Sequence, residues 1–145
     1  MAISSAICNS FKQELLVGTH NFTASSGNTF KIALYTSSAS LGASTTSYST
    51  SNAISNTSGS AYSAGGATLT SVTPVLASST AVCDFNDVSF TSASFTANGC
   101  LIYNDTQSDK AVAVIAFGGD KTVSSGTFTI QFPAADASNA IIRLA

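Results

Sequence analysis

Beyond residue 67 the apolar residues of this chain fall into short runs that alternate with polar residues in a period of two, and turn-forming residues separate the runs. That rhythm admits strands and little else, because a period of two turns one side of a segment toward a core and the other toward water. Residues 30–36 follow the same pattern, with Phe30, Ile32 and Leu34 on one face. Segments 68–72, 75–85, 92–97, 100–104, 111–117, 127–132 and 140–144 bring the expected total to about eight strands. Asn98-Gly99 reads as a hairpin turn, since both residues accept positive φ. Gly118-Gly119-Asp120 and Ser124-Ser125-Gly126 bracket a further turn region, and Pro74 and Pro133 fall at segment edges, where a missing N–H does least damage. The pattern predicts an all-β fold, an antiparallel β-sandwich of jelly-roll-like topology. No repeat of fixed period is present, which argues against a solenoid or propeller.

Residues 5–17 depart from the strand rhythm. Ile7, Phe11 and Leu15 recur every four residues, Ala6 and Leu16 widen the stripe, and Lys12, Gln13 and Glu14 lie opposite. Ser4 or Ser5 can cap the start, and Gly18 stands where a left-handed stop belongs. The spacing predicts one short N-terminal amphipathic helix, whose stripe either packs on the sandwich or offers Phe11 and Leu15 to a partner. Residues 37–65 are rich in Ser, Thr, Gly and Asn, with Leu41, Tyr48, Ile54 and Tyr62 as isolated anchors. A loop this long is unusual in a compact domain and often functional, so Tyr48 and Tyr62 join Phe11 and Leu15 as candidate partner contacts. A length of 145 residues suits a single domain over 1–145, with the helix at 5–17, the sandwich at 30–144 and the long loop at 37–65.

Charge narrows the function. Only 8% of the residues are charged and about three in ten are Ser or Thr, yet 44% are hydrophobic, enough for a folded core. The five bases are scattered and the net charge is −2, so no nucleic-acid surface is expected. The longest apolar run, 111–117, falls well below the roughly 20 residues of a membrane-spanning helix. The opening residues carry no base ahead of an apolar stretch, so no secretory leader is expected and synthesis in the cytoplasm is. Cys8, Cys83 and Cys100 lack metal-ligand spacing and read as small buried hydrophobes, with a Cys83 to Cys100 bridge as the alternative. Sequons at Asn21, Asn56 and Asn104 arise by chance in so hydroxyl-rich a chain.

Reactive constellations are sparse. His20 is the single histidine, and no Ser stands in a G-x-S-x-G elbow. Asp84 and Asp87 fail the EF-hand spacing and read as turn caps. Residues 117–122, Phe-Gly-Gly-Asp-Lys-Thr, miss the phosphate-loop spacing. Tyr35, Tyr48, Tyr62 and Tyr103 could stack on sugars, which keeps a glycan-binding sandwich as an alternative. No catalytic, cofactor-binding or metal-binding residue is assigned, and enzymatic activity is not expected.

The order of several segments resembles small virion proteins of tailed bacteriophages, a family of head decoration, cement and tail-associated proteins. The segments are Leu15-Leu16-Val17-Gly18-Thr19-His20-Asn21-Phe22, residues 30–36, Thr45-Thr46-Ser47-Tyr48, Tyr62-Ser63-Ala64-Gly65-Gly66, residues 84–90, Leu101-Ile102-Tyr103-Asn104, and residues 110–121. The resemblance implies a structural protein on the capsid surface of a virion. Its partner would be the major capsid protein, bound at junctions between subunits, and the protein would be a homo-oligomer, with a trimer matching local three-fold points. A tail- or fibre-associated module is the alternative within the same resemblance.

Overall fold

The computed structural model describes residues 2–55 and 61–145. Among these residues the elements are β1 (Ala6–Ile7), α1 (Asn9–Leu16), β2 (Phe30–Tyr35), β3 (Ala67–Thr68), β4 (Ser71–Ala77), β5 (Thr80–Phe85), β6 (Val88–Asn104), β7 (Lys110–Ile130) and β8 (Ile142–Leu144), with a 3-10 turn at Asp105–Gln107. The strands form two antiparallel sheets, one in the order β1-β7-β6-β2-β3 and one in the order β4-β5-β8. The chain is therefore the expected antiparallel sandwich with a short N-terminal helix. β4–β5 and β6–β7 are hairpins, whereas β1–β7, β2–β6 and β5–β8 pair segments far apart in the sequence.

The segment boundaries are redistributed for physical reasons. The two segments expected at 92–97 and 100–104 are one strand, β6, and Asn98-Gly99 is not a turn. Gly99 pairs with Tyr35 on one side and Ala116 on the other. A Cβ there would approach the Ile115 carbonyl oxygen to 2.7 Å and Ile3 Cγ2 to 2.8 Å, so the glycine answers to space and not to a positive φ. Likewise 111–117 and the first four residues of 127–132 belong to one strand, β7, which ends at Ile130. Gly118, Gly119 and Asp120 bulge out of the ladder between the pairs Ala97↔Lys121 and Gly99↔Ala116. Both glycines hold positive φ there, at 77° and 144°. Ser125 makes a second bulge, at φ 47°, where its N–H donates to Ser94 Oγ. Segment 75–85 splits instead, because Ser78 turns at φ 61° and Ala77 pairs with Thr80.

The helix starts four residues later than its periodicity predicts. Ala6 and Ile7 pair with Val114 and Ala113 as β1, so neither Ser4 nor Ser5 is the cap; Cys8 takes that position without a side-chain bond to the helix, its thiol donating to Gly42 O instead. Ser5 Oγ accepts the Ala116 N–H instead. The stop is as expected. Gly18, at φ 75°, donates to Leu15 O and Thr19 to Glu14 O, the two bonds of a Schellman cap.

Two layers cover the large sheet. Phe30 on β2 meets Phe85 on β5 at 6.0 Å between ring centroids and stacks on Phe22 at 4.2 Å, which joins the two sheets in one core. Lys31, Ala33 and Tyr35 alternate with that face of β2, and the described part of the 37–65 loop folds over their side. Tyr35 and Tyr103 both contact Tyr48 there. The middle of the sheet is thus buried from both faces, and Leu101, Ile102, Tyr103 and Asn104 are all inaccessible or nearly so. Replacing Gly99 by Ala forces a Cβ into this doubly paired site and is expected to destabilise the fold by about 1–3 kcal/mol. An unchanged urea midpoint for Gly99→Ala would exclude the close approach.

Candidate functional site

The most connected polar cluster lies where α1, the segment after it and the end of β6 meet. His20 Nε2 lies 3.0 Å from Glu14 Oε1, and His20 Nδ1 lies 2.9 Å from Asn104 Nδ2. The His20 side chain has no exposed surface, and its ring packs 4.8 Å from Phe11. Backbone donors fix the proton positions. Asn21 N–H donates to Asn28 Oδ1, Asn104 Nδ2 donates to that same oxygen, and Gln107 N–H donates to Asn104 Oδ1. The Asn104 amide therefore presents N–H to His20 Nδ1, which must accept, and Nε2 carries the proton donated to Glu14. With both nitrogens engaged in this way, neither faces a hydroxyl. Glu14 Oε2 continues the chain to Lys110 Nζ at 3.5 Å. This cluster ties the helix to the β6–β7 connection.

The candidate contact residues divide. Phe11 is 1% exposed, with its ring edge-on to Phe22, and belongs to the core. Tyr62 is also 1% exposed; its hydroxyl accepts the Leu34 N–H, and its ring packs on Phe90 and Phe95. Burial pushes the Tyr62 hydroxyl up to about 12. These two cannot present their rings to a partner as the helical stripe and the loop composition suggested. Tyr48 is half-buried and stacks on Tyr103 at 4.8 Å. Leu15 is half-buried beside α1's exposed end, where Leu16 is 90% exposed. Tyr35 and Tyr103 are buried with Tyr62, so the four tyrosines do not form the open platform that sugar stacking needs.

The remaining sequence candidates serve the backbone. Asp84 Oδ1 accepts the Phe85 N–H, and Asp87 Oδ1 accepts the Phe132 N–H, which pins the start of β6 to the segment after β7. Among the described residues no three His, Cys, Asp or Glu side chains group as metal ligands would. All three thiols are free, so the Cys83 to Cys100 bridge is not formed. Burial raises Cys8 and Cys83 to about 11 and Cys100 to about 12, away from thiolate chemistry.

Three surfaces escaped the sequence reading. The distal β6–β7 hairpin has an outer face of paired hydroxyls: Ser89 and Thr129 at 2.9 Å, and Thr96 and Thr122 at 2.9 Å. Asn98 Nδ2 donates to Asp120 Oδ1 across the same hairpin at 2.8 Å. On the other side an apolar groove of about 580 Å³ runs past Phe117, Phe128, Ile130 and Phe132 to Ile141, with Lys121 in its wall. A second, of about 310 Å³, lies between α1 and β8. The signal for the hydroxyl face was present in the Ser and Thr positions, but reading it required knowing that β6 and β7 bulge at matching points. The grooves depend on which distant segments meet, which periodicity does not encode.

No protein-family model matches the chain, and no curated protein or solved structure matches it.

The hydrogen-bond chain through Asn28 and Asn104 predicts a single neutral His20 tautomer, protonated at Nε2. Long-range nitrogen-proton correlation spectra should show an unprotonated Nδ1 at neutral pH. Asn104→Ala should leave His20 Nδ1 and the Gln107 N–H without partners, at about 1–3 kcal/mol for each group left unpaired in the interior. A Nδ1-protonated ring, or an Asn104→Ala variant as stable as the parent, would contradict the assignment.

Proposed function

We propose that the chain is a structural virion protein that decorates a bacteriophage capsid, binding the outer surface at junctions between major capsid subunits. The observation that carries this reading is the hydroxyl-rich outer face of the β6–β7 hairpin, where hydroxyls bond to hydroxyls across the strands. Such a face is held in place before any partner arrives. Ser and Thr lose less rotamer freedom on contact than Lys or Glu, whose immobilisation costs about 1.5–2 kcal/mol each. A low charge also avoids like-charge repulsion among copies crowded on one shell. Many individually weak contacts of this kind act together when the copies share a lattice.

The resemblance of the segment order to small phage virion proteins supports the same reading. Decoration calls for a rigid surface and no reactive centre, and the Glu14–His20–Asn104 cluster works as an internal brace in that scheme. A closed trimer would match the local three-fold points of an icosahedral shell.

Quantitative gels of purified virions test the proposal. Decoration requires many copies spread over the head, on the order of hundreds per particle. A handful of copies confined to one vertex would identify a tail-associated module instead, and absence from the particle would remove the virion reading altogether. Light scattering should give a trimer mass at high protein concentration; a monomer throughout would overturn the three-fold assembly.

A further inference from the structure

Three cations form no ion pair among the described residues, Lys12, Lys121 and Arg143, and each of them lines an apolar groove. Two of the three flank the groove between α1 and β8. Leu15, Leu16, Ile142 and Leu144 make its apolar lining. Leu16 is 90% exposed and Leu144 57%, an unusual display for leucine at the mouth of a groove. Strand register extends the surface. Leu144 lies opposite Ala81, and Ala81 opposite Leu76, which is 73% exposed; directly opposed residues share a face.

The charges at this site have one sign. Lys12 Nζ donates to Asn9 Oδ1 and Arg143 Nη1 to the Ala137 carbonyl, both neutral acceptors. Among the described residues no Asp or Glu lines the groove. Glu14, on the same helix, is engaged by His20 and Lys110. Asp136, which senses the Arg143 charge, directs its oxygens to the N–H groups of Ser138 and Asn139. Two cations beside an apolar trough call for an occupant with apolar side chains and carboxylates.

We propose that the groove between α1 and β8 docks an acidic, apolar-faced segment of a partner protein. Its apolar side chains fill the trough over Leu16 and Leu144, and its carboxylates meet Lys12 and Arg143. β8 is the outer strand of its sheet among the described residues, so an extended segment can also add backbone hydrogen bonds along it. The inference rests on the groove and its charges, and it holds whether or not the partner is a capsid protein.

The test titrates the full ¹⁵N-labelled chain with a short peptide alternating Leu with Glu and, separately, with its Leu/Lys counterpart. The acidic peptide should shift the amides of residues 12–16 and 142–144, and the basic one should leave them in place. The double variant Lys12→Glu, Arg143→Glu should weaken acidic-peptide binding about tenfold or more. Leu16→Ser should weaken it too, and because that side chain lies in water, an otherwise unchanged spectrum will show that the fold is intact. Equal binding of the basic peptide, shifts confined to another face, or none at millimolar peptide would overturn the proposal. So would concentration-dependent shifts of the same amides without peptide, which would put a second copy of this chain in the groove.

Discussion

The pairing of β6 with β7 is the interaction on which the rest of the molecule depends. These are the two longest strands, and they lie at the centre of the large sheet, with β2 attached to β6 and β1 to β7. The proximal half of the pair is buried on both faces, by the small sheet through Phe85 and Phe30 and by the long loop through Tyr48. Burying a sheet twice removes water from every backbone amide in the middle of it, so the ladder has to be complete. Gly99 satisfies that requirement where it pairs with both neighbouring strands and where the Ile115 carbonyl and the Ile3 side chain leave no room for a Cβ.

The same pairing explains what periodicity could reveal and what it concealed. Strand character, the short helix and its Gly18 stop were legible because each depends on residues close in sequence. The hairpin turn inferred at Asn98-Gly99 was wrong because two causes leave one signature. A glycine after an asparagine serves a turn, and it serves equally where a neighbouring backbone must approach. The bulges hid in the same way. Phe90 faces inward at an even position, whereas Ala93, Phe95 and Ala97 follow at odd ones, since Ser92 at φ 49° shifts the ladder by one residue. Such a phase change in the apolar pattern resembles the end of one strand and the start of another. Among the candidate contacts, Phe11 stands on a helical stripe that could either pack or be displayed, and Tyr62 stands alone in a polar loop, so neither pattern reveals the burial. Their burial follows from what folds over them, the β2–β6 face for Tyr62 and the Phe22–His20 cluster for Phe11.

Low charge now has a distribution. Glu14, Lys31, Asp105 and Lys110 take part in ion pairs that brace the helix and the β6–β7 connection. The distal hairpin turns paired hydroxyls outward, and the unpaired bases stand beside apolar grooves. Charge thus serves bracing, backbone capping and groove rims, and the hairpin face carries hydroxyl pairs with one carboxylate, Asp120, bonded to Asn98. The pairing of β6 with β7 holds these surfaces in a fixed relation.

The claim that β6 runs unbroken through Asn98 and Gly99 is most directly tested by nuclear Overhauser contacts of Gly99. A continuous strand places Gly99 in cross-strand contact with Tyr35 on one side and Ala116 on the other. Contacts closing Ala97 onto Cys100 across a two-residue turn, with none to Tyr35 or Ala116, would break the hairpin in two and contradict the account.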